Sequence, residues 1–129
     1  MKGSRKVPQK TTRRADGVIV TIPEGRISAS DVHDWTLDYA RLLGGSYWIF
    51  LAAGATSYAY DAVKAAVEGF SKQKKRGLTL IIAHVPNPLV RMGASVVKMS
   101  LRQIAGVEIE IVDKEEQIEP TLERARRMR

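Results

Sequence analysis

The chain has 129 residues and a formal charge of +7, from 21 Lys+Arg against 14 Asp+Glu. That length suits a single domain, and a hydrophobic share of 44% is too high for a chain that stays unfolded. With no cysteine and only two histidines, the composition excludes a disulfide scaffold, a thiol nucleophile and a thiolate or His-rich metal site. No apolar run approaches the roughly 20 residues that span a bilayer, and no apolar core follows the first charges as in a signal peptide. These features lead us to expect a soluble, cytoplasmic protein.

The charge is unevenly placed. Residues 1–16 carry net +5 and residues 124–129 net +4, which leaves −2 of the +7 for residues 17–123. The first stretch has almost nothing to bury and reads as a basic disordered arm, the last as an Arg-rich tail, flanking one domain over 17–123. Arg5, Lys6, Arg13, Arg14, Arg124, Arg126 and Arg127 are the candidate contacts for a polyanion, either nucleic acid or an anionic membrane. The competing reading is a pair of solubilising tails, since no aromatic side chain is interleaved for base stacking.

In chain order, Gly17 to Ile22 is β-branched and closed by Pro23, as a strand is, and Arg26-Ile27 continues it in extended form. Ser28 and Asp31 form a capping box that opens a helix with Val32, Trp35, Tyr39, Leu42 and Leu43 on one stripe, ended by Gly44-Gly45. Tyr47 to Leu51 is continuously apolar, the pattern of a strand buried on both faces. Ala52 to Ser57 reads as a small-residue loop. A second helix follows, with Tyr60, Val63, Val67 and Phe70 as its apolar face and Lys72, Lys74, Lys75 and Arg76 at its negative end. Leu78 to Ala83 is a third long strand. Pro86-Asn87-Pro88 opens a helix carrying Leu89, Val90, Ala94, Val97, Leu101 and Ile104. Val107 to Ile111 alternates strictly, so one face alone is buried, as in an edge strand. Lys114 to Arg127 closes the chain as a polar segment with Ile118 and Leu122 inward, and Pro120 either sits in the first turn of its helix or kinks one already begun. Strands alternating with helices imply an α/β fold, here a mixed, mostly parallel sheet of four to five strands with about four helices.

That order resembles the SpoIIAA-like fold shared by STAS domains. The resemblance covers about Gly17 to Glu123. It rests on Glu24-Gly25-Arg26-Ile27 leading to Ser30-Asp31, the strand Tyr47 to Leu51 before a small-residue loop, Lys75-Arg76-Gly77 entering a strand, and the acidic Asp113-Lys114-Glu115-Glu116 after an edge strand. The resemblance implies a non-enzymatic regulatory module that binds a protein partner, a kinase-like anti-sigma factor or another signalling or scaffold protein. STAS domains of the anti-sigma-antagonist type carry an Asp-Ser-Ser-Gly-Leu-like motif with a phosphorylatable serine at the start of the second helix. Here the equivalent stretch is Ala59-Tyr60-Asp61-Ala62-Val63, and the phosphosite position is Asp61. The switch motif is absent, and Asp61 is either a fixed partial mimic of phosphoserine or a plain acidic helix start. Thr56, Ser57, Tyr58, Tyr60, Asp61 and Lys64 are the candidate partner-binding residues, with Thr56 and Ser57 serving alternatively as helix caps.

No phosphate-binding glycine loop, dinucleotide fingerprint or nucleophile elbow occurs, so no catalytic residue and no cofactor are assigned. Asp31, His33, Asp34 and Asp38 read as a solvated helix face and not as metal ligands. His84 reads as a hydrogen-bonded loop histidine before Pro86. Two further possibilities stay open: a lipid or small ligand in an apolar pocket, because relatives of this fold hold such molecules, and a homo-oligomer through the edge strand or the third helix.

Overall fold

A computed structural model describes residues 10–128. Among these, β1 (Lys10–Arg13), β2 (Ile19–Ile22), β4 (Tyr47–Leu51), β6 (Leu80–His84) and β7 (Glu108–Val112) form one sheet in the order β1-β2-β4-β6-β7. β1 is antiparallel to β2, and every other neighbouring pair is parallel. A separate ribbon pairs β3 (Glu24–Ile27) in parallel with β5 (Gly54–Tyr58). The helices are α1 (Ala29–Arg41), α2 (Ala62–Lys72), α3 (Pro88–Ile104) and α4 (Ile118–Arg127).

The strand order fixes where the helices go. β2, β4, β6 and β7 advance across the sheet in one direction, and right-handed crossovers then place α1, α2 and α3 on the same face. The side-chain period of two sorts each strand accordingly. Ile19, Trp48, Phe50, Ile81, Ala83 and Ile109 face these three helices. Val18, Tyr47, Ile49, Ile82 and Val112 face the opposite side, where Ile118 and Leu122 of α4 cover them. This explains the unbroken apolar run of the central β4, which is buried from Tyr47 to Phe50. At the edge, β7 keeps Glu108 and Glu110 exposed while Ile109 is buried.

An aromatic cluster anchors the three-helix side. Trp48 stacks on Tyr39 with ring centroids 4.2 Å apart and meets Phe50 at 5.0 Å and Phe70 at 5.1 Å. Its indole Nε1–H donates to Thr21 Oγ1 at 2.9 Å, and that hydroxyl is also 2.9 Å from Thr11 Oγ1 of β1. The Tyr39 hydroxyl donates to the Gly45 carbonyl, and burial pushes its ionisation upward. The capping box forms as expected: the Asp31 N–H donates to Ser28 Oγ at 3.0 Å and the Ser28 N–H to Asp31 Oδ2 at 2.9 Å.

Several expectations need correction. Lys10–Arg13 lie in β1 and not in a free arm, because the β2 edge offers unpaired backbone groups and the Thr11–Thr21 pair fixes the register. Residues 1–9, with Arg5 and Lys6, fall outside the described residues. At the other end, α4 runs through the proposed boundary at 123/124 to Arg127. The small-residue loop contains β5, whose partner β3 lies far away in sequence. α2 starts only at Ala62, so Tyr60 precedes the helix and is 97% exposed instead of joining its apolar face. α1 ends at Arg41, and Leu43, at φ +59°, turns outward. Leu89 and Ile104 of α3 are likewise exposed, while Gly93 joins its buried side.

Candidate functional site

The C-terminal edge of a parallel sheet is where an open α/β fold presents ligand-binding loops. Here that edge carries the β3–β5 ribbon, the start of α2 and the start of α3. Alternation along β5 buries Ala55 and leaves Thr56 exposed, with Ser57 and Tyr58 half-buried. The Tyr58 ring lies against α3 at Gly93, where an added Cβ would come within 2.8 Å of it. Glycine at 93 is thus the residue that lets the ribbon close onto the helix.

After β5 the chain turns through Ala59, whose N–H donates to the Ile27 carbonyl at 2.7 Å. This bond ties the turn to the end of β3 and leaves Tyr60 projecting. Asp61 holds the N-cap position of α2 with αR backbone angles, and its carboxylate makes no capping hydrogen bond. A cap needs extended backbone at this position to fold its side chain back over the first amides. Thr56 and Ser57 are inside β5, several residues from the helix start, so neither caps it. Lys64 is exposed in the first turn of α2, three positions after the Asp61 cap. Tyr60, Asp61 and Lys64 therefore form a compact exposed corner, with Thr56 on the adjoining ribbon, while Tyr58 turns toward α3.

Beneath this corner lies an apolar cavity of about 110 Å³ between the sheet, α2 and α3. Ile27, Trp35, Phe50, Phe70, Val90 and Val97 contribute to its wall, and Tyr58, Val63 and Ala94 are the half-buried lining residues that mark its open side. Trp35 is 4% exposed and its Nε1–H has no hydrogen-bond partner among the described residues. Sequence reasoning assigned Trp35 only to the core stripe of α1. The cavity was not legible there, because its wall gathers residues from eight separate elements.

The basic residues form a different place. Arg14 donates to Asp16 and to Glu119, each at 2.7 Å, and Arg126 donates to the same Asp16 at 3.0 Å. Arg126 also sits over the Tyr47 ring at 5.9 Å, and Arg124 is 3.9 Å from Glu110. Burial acts to raise the Asp16 pKa, but hydrogen bonds from Arg14, Arg126 and the Val18 N–H outweigh it and hold the carboxyl at about 2. The two basic ends thus meet across β1 and α4, and Arg14, Arg124 and Arg126 are ion-paired instead of free. Arg13 lies in β1 and Arg127 ends α4.

Of the α1 acids, Asp31 is engaged in the capping box and Asp38 with Arg41 at 2.6 Å, while Asp34 is exposed. No group of three or more His, Asp or Glu among the described residues is placed to hold a metal ion. His84 ends β6, and its buried Nδ1 has no hydrogen-bond partner among the described residues, contrary to the hydrogen-bonded loop histidine expected. No helix among the described residues is long and apolar enough to cross a membrane.

Comparison with solved structures identifies the architecture. An uncharacterised protein of the DUF3478 family with a SpoIIAA-like fold, from Shewanella loihica PV-4, superposes with a TM-score of 0.57 at 10% identity, covering 90% of this chain and 95% of its own. A second solved structure, Mglu, matches 82% of this chain and 19% of its own at 16% identity with a TM-score of 0.40. No family model matches the sequence, and no curated protein matches it.

Proposed function

We propose that this SpoIIAA-like domain is a non-enzymatic regulatory module that docks a protein partner on the corner formed by Thr56, Ser57, Tyr60, Asp61 and Lys64. The observation that carries this reading is Tyr60, which is 97% exposed beside an Asp61 carboxylate free of any capping bond. An aromatic side chain held out in water by a tied turn gains from burial only in a complex, and tyrosine is a frequent interface anchor. Asp61 and Lys64 supply charges of opposite sign at its border, which favours an oriented partner over nonspecific apolar contact. A fixed aspartate at the position of the STAS phosphoserine fits a module whose docking state is constant and not switched by a kinase.

The reading is tested by photo-crosslinking with a photoreactive phenylalanine at position 60 and, as control, at position 108 on the edge strand. A partner captured at position 60 is then purified and titrated against wild type, Tyr60→Ala and Asp61→Lys. Tenfold or greater weakening by each substitution, with unchanged circular dichroism, supports the corner. A partner that binds both variants as tightly as wild type removes it.

A further inference from the structure

We infer that the outer face of α3 is an interface with a second copy of this chain, formed as an antiparallel α3–α3 pair about a twofold axis. Val90, Gly93, Val97 and Leu101 fasten the helix to the core. A separate row points into solvent: Leu89 is 48% exposed, Met92 62%, Val96 48% and Met99 65%. Their spacing of three, four and three sets them on one side of the helix, the pattern by which helices pack against each other. Soluble monomers rarely leave large apolar side chains in one continuous exposed patch. Ser95 and Ser100 border the row and are half-buried, so small side chains leave holes beside it for the side chains of a facing helix.

Three features select a second copy as the occupant. The row has the same spacing read in either direction, so a twofold axis through its midpoint sets Leu89 against the other copy's Met99 and Met92 against the other copy's Val96. The charges beside the row are already matched within one copy: Arg91 donates to Asp113 at 2.8 Å, and Arg102 lies 3.6 Å from Glu108. Two cations of α3 are thus neutralised, which weakens the pull on an acidic helix or an anionic lipid surface and lets two identical flanks approach. The area agrees. Side chains this exposed make an apolar patch on the order of 400 Å² per copy, a size that marks an interaction site. Ser95, Ser100, Gln103 and Ile104 bring the contact toward the roughly 600 Å² per copy at the lower end of specific interfaces, which gives a reversible dimer in the micromolar range. The pair uses none of the docking-corner residues, so it stands or falls apart from that reading.

The test uses the full chain in sedimentation equilibrium at micromolar to sub-millimolar concentration, where wild type should follow a monomer–dimer equilibrium. Met92→Glu and Val96→Glu change exposed side chains, so each should keep the wild-type circular dichroism and weaken the dimer at least tenfold, while Tyr60→Ala should leave it within twofold. Because the chain has no cysteine, introduced thiols report the register. Leu89→Cys mixed with Met99→Cys should oxidise to a crosslinked pair. Met99→Cys alone should not, because the two copies of position 99 lie about 15 Å apart along antiparallel helices, beyond the reach of a disulfide. A chain that stays monomeric throughout overturns the proposal, and one that instead binds phosphatidylglycerol vesicles, with binding lost in Val96→Glu, assigns the row to a membrane and overturns it equally. A dimer unchanged by both glutamate substitutions overturns the face. Crosslinking of Met99→Cys alone, without the mixed pair, overturns the antiparallel register.

Discussion

Replacing Thr21 by valine keeps the side-chain shape and removes one oxygen. In the folded protein that oxygen is fully buried, accepts from the Trp48 indole at 2.9 Å and lies 2.9 Å from the Thr11 hydroxyl. Trp48 is itself inaccessible and held by Tyr39, Phe50 and Phe70, so its ring cannot turn to find another acceptor. The expected cost is that of an unsatisfied buried donor, about 2 kcal/mol within a range of about 1–3. For a chain of this length that corresponds to a fall in Tm of about 8 °C. The urea midpoint should drop with an unchanged m-value, because no additional surface is exposed in the native state. Thr11→Val is the matched comparison. It leaves the Trp48–Thr21 bond in place and takes one neighbour from the buried Thr21 hydroxyl, so it should cost clearly less than Thr21→Val. If Thr21→Val is as stable as Thr11→Val, the Thr21–Trp48 bond does not organise this core.

Other consequences are equally open to measurement. Gly44→Ala would place its Cβ 2.4 Å from the Tyr39 ring, which is pinned by Trp48 and by the Gly45 carbonyl, whereas Gly45→Ala meets nothing within 4 Å; urea denaturation should show a loss of about 1–3 kcal/mol for the first and almost none for the second, and equal losses would contradict the packing described. Gly93→Ala should gain up to about 1 kcal/mol of helix propensity when Tyr58 is also changed to alanine and lose that gain when Tyr58 is present, since the new methyl meets its ring at 2.8 Å; additivity of the two changes would show that ribbon and helix do not touch. Asp16 has a folded-state pKa of about 2, below the ordinary value near 3.9. Its stabilising contribution is therefore complete above about pH 4 and lost as pH falls toward 2. With a third of the side chain exposed, the contribution is at most about 1 kcal/mol, so Asp16→Asn should lower Tm modestly at pH 7, with the difference from wild type vanishing near pH 2; a constant difference across that window would rule out the ion pairs as its source.

The sequence by itself determined the α/β alternation, the central β4 and the edge β7, because burial on two faces or one writes a continuous or alternating apolar pattern into the chain. The capping box at Ser28 and Asp31 was equally legible, since it involves four consecutive residues. The same locality explains the failures. β1 and β5 are strands only because β2 and β3 pair with them, and nothing in Lys10–Arg13 or Gly54–Tyr58 alone demands it. The proposed docking corner was placed by counting from a family motif, but the exposure of Tyr60 follows from the Ala59–Ile27 bond, a contact across 32 positions. The opening +7 was assigned to two separate basic ends. Folding brings the described parts of those ends together at Asp16, where Arg14 and Arg126 share one carboxylate. The cavity was least legible of all. Each wall residue reads as ordinary core in its own segment, and the space between α2, α3 and the sheet exists only once the crossovers set three helices side by side.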